Sequence, residues 1–328
     1  MNLFFLPSRN IALTIPVMLV TGFIAGLYLN TSFLKDYILL VTVLIMIYPT
    51  MIGFKTNEII NTSHTRLLLA ASVINFILVP LLAYVLGVVF LLRDPQLFAG
   101  LAIASLLPTS NMTIAFTHFG RGNIPAAVKL TVISLVFGSL LAPWYLYIMV
   151  GGYIEINVLA MLQTVSMVIF LPLFMGITTY NIILKKYTRE EFENTVKPYL
   201  PALSAWGMVY VIFTGISTNA HTIVSKPGLL LVSLMVWVFF YAFNYMISIK
   251  AGRRYFNRQD SVTLVFGTVL RNLAISIGLA ATAFGVTAAF MVSLAFLFQG
   301  QSAAWFVRLN EKYNILPEDS ADLRIKTN

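Results

Sequence analysis

Long apolar stretches separated by short polar ones run the whole length of the chain. A bilayer core about 30 Å thick takes about 20 apolar residues per helix. Ten stretches of that kind can be marked, at 11–29, 37–54, 67–91, 97–119, 124–149, 156–184, 200–219, 227–249, 261–283 and 286–308. The pattern predicts an all-α polytopic membrane protein with ten transmembrane helices. The longest pieces left over, 185–199 and the tail 309–328, are too small to fold as soluble domains. Function is therefore expected inside the membrane. The N-terminus shows no basic region ahead of its apolar stretch and no small-residue cleavage site, so span 1 is expected to stay in the mature protein.

Two spans are irregular. Span 4 runs through Leu106, Leu107, Pro108, Thr109, Ser110, Asn111, Met112 and Thr113, where a proline removes a backbone donor and three polar residues follow at mid-bilayer depth. Span 9 carries Gly267, Thr268, Val269, Leu270, Arg271 and Asn272 at its centre. The two breaks fall at matching places when the spans are divided five and five, and an odd number per half makes the halves inverted. Paired interruptions of this kind point to the solute site of an inverted-repeat transporter. The expected organisation is a first five-helix repeat over 1–150, an inverted second repeat over 151–308 and a cytoplasmic tail over 309–328. Ile15-Pro16 against Leu171-Pro172, and Ser134 against Ser293, are weaker echoes of the same repeat. The N-terminal ends of half-helices at the breaks would direct positive dipole ends at a bound anion or polar solute.

Composition agrees with a lipid solvent. Of the 328 residues 59% are apolar and 10% charged, too few charges to wet the surface of a soluble domain. The net charge of +9 reads as topology rather than as a nucleic-acid site. With both termini in the cytoplasm, 16 of the 21 Lys and Arg lie on that side, and only Lys35, Arg93 and Lys226 lie opposite. An integral plasma (inner) membrane protein is expected, with the clusters at 185–189 and 250–258 near lipid headgroups. The absence of cysteine excludes disulfides, thiolate metal sites and thiol nucleophiles.

Two basic residues remain inside spans, and none of the 12 acidic residues does. Arg271 lies near the centre of span 9, where insertion of an arginine is unfavourable by about 2.5–3.5 kcal/mol. It either serves a solute or bonds helix-end carbonyls. Lys129, nearer the cytoplasmic end of span 5, either snorkels or lines the site. Fixed positive charge without carboxylates disfavours a metal-cation site and suits an anionic solute. Proton coupling through Lys129 or His118 stays open. Paired aspartates and HExxH are absent, and the three histidines (His64, His118, His221) sit at span ends or in loops, so an intramembrane enzyme is not expected.

Asn75-Phe76 with Pro80, Pro108, Arg121-Gly122-Asn123 and Arg271-Asn272 together resemble the bile acid:sodium symporter superfamily, and Met46-Ile47-Tyr48-Pro49 resembles its arsenite-efflux branch. The resemblance implies a panel domain from spans 1, 2, 6 and 7 and a core domain from spans 3–5 and 8–10. Two crossed discontinuous helices, spans 4 and 9, would lie in the core. It also implies where sodium ligands should stand. Aligned on Arg121-Gly122-Asn123, a Ser-Asn pair falls on Thr113 and Ile114, and the span 5 hydroxyls fall on Ala127 and Thr131. Aligned on Asn272, a glutamate falls on Gly267 and a glutamine on Arg271, while the span 3 glutamine falls on Asn75. A one-turn slip would bring Ser110-Asn111 into register, but no slip restores the glutamate. The arsenite branch's cysteine falls on Thr109.

These departures give the expected function: alternating-access transport of a small anionic organic solute, with Arg271 and Lys129 in the region that sodium would occupy. The candidate solute-binding residues are Thr109, Ser110, Asn111, Thr113, Arg271 and Asn272. The candidate coupling positions are Asn75, Lys129, Thr131, Gly267 and Arg271. No cofactor, metal or nucleic acid is expected; the partners are the solute and membrane lipids, and the chain is expected to be a monomer. A sodium-coupled bile-acid-like symporter and a cysteine-free arsenite or oxyanion efflux carrier stand as alternatives.

Overall fold

The computed structural model describes residues 3–38, 41–53, 64–225 and 227–316, apart from the side chains of residues 11, 12, 111 and 222. The helices, numbered in chain order, are α1 (Ile11–Tyr28), α2 (Val41–Met51), α3 (Thr65–Phe90), α4 (Pro95–Leu106), α5 (Asn111–Phe119) and α6 (Ile124–Val150). They continue as α7 (Val158–Ile183), α8 (Tyr199–Ser225), α9 (Pro227–Tyr255), α10 (Arg258–Val269), α11 (Leu273–Ala283) and α12 (Val286–Tyr313). No strand occurs among the described residues, so the chain is an all-helical polytopic membrane protein. Six of these helices, α3, α6, α7, α8, α9 and α12, are long and apolar enough to cross a membrane. Within the stretch 37–54 the described residues give α2, with residues Ser32–Tyr37 forming a separate tight turn ahead of it; residues 39, 40 and 54 lie outside the described residues.

Three prolines shape the long helices by one mechanism. A proline inside a helix has no N–H to give and its ring presses on the carbonyl four residues back, so the preceding turn must widen or break. Wide, π-helical turns at Val41–Ile47, Ile74–Leu78 and Ser166–Phe170 stand just ahead of Pro49, Pro80 and Pro172. Carbonyls in two of these turns find side-chain donors: Tyr145 Oη donates to Phe76 O, and Ser204 Oγ donates to Met46 O at 2.6 Å. Such re-satisfaction makes proline tolerable at membrane depth. The Asn75-Phe76…Pro80 and Met46…Pro49 motifs are thus local devices that reshape helices, and the first of them directs Asn75 into the core.

Spans 4 and 9 are each broken in two. Pro108 disfavours helix at the residue before it, and Leu107 is non-helical with φ −110° and ψ 75°. Thr109 then takes φ 63°, a left-handed conformation rare for a β-branched residue. Ser110 restarts the chain as an N-cap, accepting from Met112 N at 3.2 Å while Ser110 N donates to Thr113 Oγ1 at 3.1 Å. In span 9, α10 ends at Val269 and Asn272 caps α11 by accepting from Ile275 N at 3.3 Å. The two breaks meet as a short antiparallel bridge: Thr109 N donates to Leu270 O and Asn272 N donates to Leu107 O, both at 2.8 Å, with Pro108 opposite Arg271.

Close helix packing frames this crossing. On α1, Gly22 and Gly26 lie one turn apart, and a Cβ on Gly26 would stand 2.0 Å from Ser217 O of α8, so small residues set that approach. Gly138 of α6 faces Leu106 O beside the span 4 break, and Gly278 of α11 faces Thr42 and Met46 of α2. The Arg121-Gly122-Asn123 motif is a turn. Arg121 has φ 57°, and Asn123 caps α6 while its Nδ2 donates to Asp260 Oδ1 at 2.9 Å and lies 3.1 Å from His64 Nδ1. One asparagine therefore ties together the starts of α3, α6 and α10.

Candidate functional site

Arg271 is fully buried at the crossing, and its guanidinium reaches uncharged oxygens. Nη1 donates to Ser105 O at 3.2 Å, and Nη2 donates to Asn75 Oδ1 at 2.7 Å and to Thr268 O. Ser105 and Thr268 lie in the last turns of α4 and α10, where carbonyls lack intrahelical partners and each helix dipole presents its negative end. A single positive group thus caps both half-helices. Asn75 completes the arrangement, because its Nδ2 donates to Gly267 O at 2.8 Å while its Oδ1 takes the arginine. Behind Thr268, Asn244 Nδ2 donates to its carbonyl at 2.9 Å and Ser248 Oγ lies 2.6 Å from its hydroxyl. Arg271 Nε–H has no acceptor among the described residues.

The crossing brings together many of the candidate positions. Arg271, Asn75, Asn272 and the carbonyl of Gly267 share it. Thr109 is buried beside them, its hydroxyl donating to Pro108 O at 2.6 Å. Ser110 and the buried Thr113 form the N-terminal cap of α5; Asn111 opens that helix, its side chain lying outside the described residues. Thr131 hydrogen bonds back to Ala127 O in its own helix at 2.8 Å. Lys129 is only 3% exposed, so its chain runs through the protein interior rather than along the surface. Four contributors had not been singled out: the Ser105 carbonyl, Asn244 with Ser248 one turn on, Tyr241, and Gln299. The last three are polar groups in otherwise apolar stretches, a signal the sequence does carry.

Among the described residues, the oxygens around the guanidinium do not fit a bound sodium ion. Ser105 O, Thr268 O and Asn75 Oδ1 are engaged by the guanidinium, Gly267 offers no carboxylate, and Ile114 and Ala127 have no side-chain oxygen. Away from the crossing, α11 runs about 15 Å from Asn272 to Thr282 at 1.5 Å per residue. There a cavity of about 490 Å³ opens between Thr164 of α7 and Thr282 of α11. A second, of about 420 Å³, adjoins it and shares Gln96, Thr164 and Thr282.

The model of the Sodium Bile acid symporter family matches residues 39–226. The chain belongs to that family. The match takes in the span 4 break but ends before α10, so the arm that carries Arg271 lies beyond it. Similar curated proteins include the uncharacterized protein YbaS of Bacillus subtilis, 25% identical over 78% of this chain and 82% of the relative. The arsenical-resistance protein Acr3 of Corynebacterium glutamicum is 24% identical over 75% of this chain and 70% of its own length. The probable chloroplastic sodium/metabolite cotransporter BASS1 of Oryza sativa subsp. japonica is 24% identical over 72% of this chain and 57% of its own length. As a family member the protein is a membrane transporter of a small-molecule solute, not an enzyme.

Proposed function

We propose that this family member carries a small organic anion by alternating access without the family's sodium pair, because the Arg271 side chain serves as a tethered cation. Ten spans form two inverted five-helix repeats, 1–150 and 151–308, with both termini and the tail 309–328 on the cytoplasmic side of an inner membrane. Helices α1, α2, α7 and α8 make the panel, and the remaining helices make the core around the crossing. The protein works as a monomer among membrane lipids. The observation that carries this reading is the guanidinium between the carbonyl ends of α4 and α10, held by Asn75. A mobile cation at that point would neutralise two helix ends that must otherwise repel. Here a covalently attached one does so at all times.

The solute then meets the opposite dipole ends. Ser110 with Thr113, and Asn272, cap the half-helices whose N-termini start at the crossing, and Thr109 and Asn111 lie between them. Lys129 and Thr131 on α6 flank the region, and proton coupling through Lys129 remains within this scheme. The cavities between α7 and α11 give the solute a path along the panel–core seam.

A thermal-shift screen of the purified chain over organic anions, each with sodium or choline as counter-ion, tests the proposal. Stabilisation by an organic anion to the same extent in both salts is expected. Stabilisation only with sodium would support a sodium symporter instead, and stabilisation only by arsenite or another inorganic oxyanion would support the efflux reading. Arg271→Gln should abolish the anion's effect while leaving the chain folded. Unchanged affinity in that variant would reduce Arg271 to a clamp.

A further inference from the structure

Gln299 lies in α12, 1% exposed, and every hydrogen-bonding position of its carboxamide is engaged. Oε1 accepts from Arg271 N at 2.7 Å and from Tyr241 Oη at 3.2 Å. Nε2 donates to Arg271 O at 3.0 Å and reaches Met112 Sδ at 3.8 Å. One side chain therefore links the unwound backbone of span 9 to the first turn of α5 and to α9.

The geometry of the bridge explains why such a residue is needed. In an antiparallel pair the hydrogen bonds alternate sides, so residues flanking a central pair exchange bonds while the central residues point theirs outward. Thr109–Leu270 and Asn272–Leu107 make the exchange, which leaves the N–H and C=O of Arg271 facing away from Pro108. At this depth neither group can be left to water. On the other side of the bridge the problem is half removed, because Pro108 has no N–H and its carbonyl accepts from the Thr109 hydroxyl. On the Arg271 side only a carboxamide offers a donor and an acceptor spaced like those of a peptide group.

We infer that Gln299 is the positioning residue of the crossing. It acts as a one-residue third strand that pins the Arg271 backbone, so that the guanidinium reaches Ser105 O, Thr268 O and Asn75 Oδ1 together. Helix α12 packs on α1 and α8 as well as on α4, α9 and α11, so the pin rides on an element that touches both groups of helices. The consequence for transport rests on the tethered-cation reading of Arg271; the register itself rests on the bonds alone.

Hydrogen-exchange mass spectrometry on the full chain in detergent, with neither solute nor sodium added, tests this directly. In Gln299→Met, peptides covering 268–275 should exchange about tenfold faster, the effect of removing a buried acceptor, while peptides from α7, which makes no bond to Gln299 or Arg271 among the described residues, keep their wild-type rates. Gln299→Glu retains an acceptor for Arg271 N–H and should rescue most of that protection. Unaltered exchange at 268–275, acceleration shared equally by α7, or a Glu variant as fast as the Met variant would overturn the assignment. Should Gln299→Met fail to fold, Gln299→Asn, one methylene too short to span both partners, carries the same test with the same outcomes. Failure here leaves sodium-independent transport standing, and failure of sodium-independence leaves the register standing.

Discussion

Arg271→Ala empties the space between the two carbonyl ends, and the structure says what is then left unmatched. Thr268 O keeps its bond from Asn244, and Asn75 Nδ2 keeps Gly267 O. Ser105 O and Asn75 Oδ1 each lose the arginine, and Ser105 O has no helical donor to fall back on, because Thr109 N is committed to Leu270 O. Each buried acceptor so orphaned costs about 1–3 kcal/mol, giving about 2–6 kcal/mol for the pair. Removing a buried cation that has no carboxylate partner offsets part of this, and the cavity left by the side chain adds to it. The assay is thermal unfolding of the purified full chain in detergent, with guanidinium chloride at roughly 10 mM, well below its denaturing range, or with choline chloride. The variant should melt several degrees below wild type, and free guanidinium should restore part of the loss by binding where the side chain was, while leaving wild type unchanged. A variant that melts with wild type, or one that responds to guanidinium as wild type does, would refute the idea of an oxygen cage built around a cation.

Three further predictions follow from the backbone and the helix contacts. Thr109 holds a left-handed φ that strains a β-branched residue by about 1–3 kcal/mol. Thr109→Gly and Thr109→Val both lose the hydroxyl bond to Pro108 O, so Thr109→Gly, whose relief of strain offsets that loss, should be near neutral in thermal unfolding, and Thr109→Val, which keeps the strain, should be less stable than it by about 1–3 kcal/mol. Gly26→Ala drives a methyl to within 2.0 Å of Ser217 O and should destabilise the α1–α8 pair by about 1–3 kcal/mol; an unchanged melting temperature would contradict that packing. Asn123→Ala removes the α6 cap and the bond to Asp260 and should lower stability by about 1–2 kcal/mol, measured in the same assay.

The breaks in spans 4 and 9 were legible because Pro108, the polar run after it and a lone arginine all violate what lipid permits. The arginine's partners were not, since Ser105 O and Thr268 O are main-chain carbonyls, which every residue carries and no side chain advertises. Gln299 stood in plain view at the head of the polar run Gln299-Gly300-Gln301-Ser302 in an apolar span, but such a run does not say whom its members face; only the bridge between Pro108 and Arg271 turns Gln299 toward a backbone. Asn75-Phe76…Pro80 was recognised as a motif before its physical basis was apparent, namely a proline-widened turn that points Asn75 at the crossing. Hydropathy likewise does not register the wide turn ahead of Pro49, which only the backbone reveals. Gly26 shows the same limit, since only its neighbour Ser217, far along the chain, gives it a role.

The central claim is that the cation at the crossing is part of the chain. Proteoliposomes containing the purified protein, loaded with buffer and given a labelled organic anion identified by thermal shift, test it most directly. Initial uptake is measured with an inward sodium gradient, with sodium equal on both sides, and with choline throughout. The account predicts saturable uptake at the same initial rate in all three conditions. Uptake that appears only with the sodium gradient would contradict it.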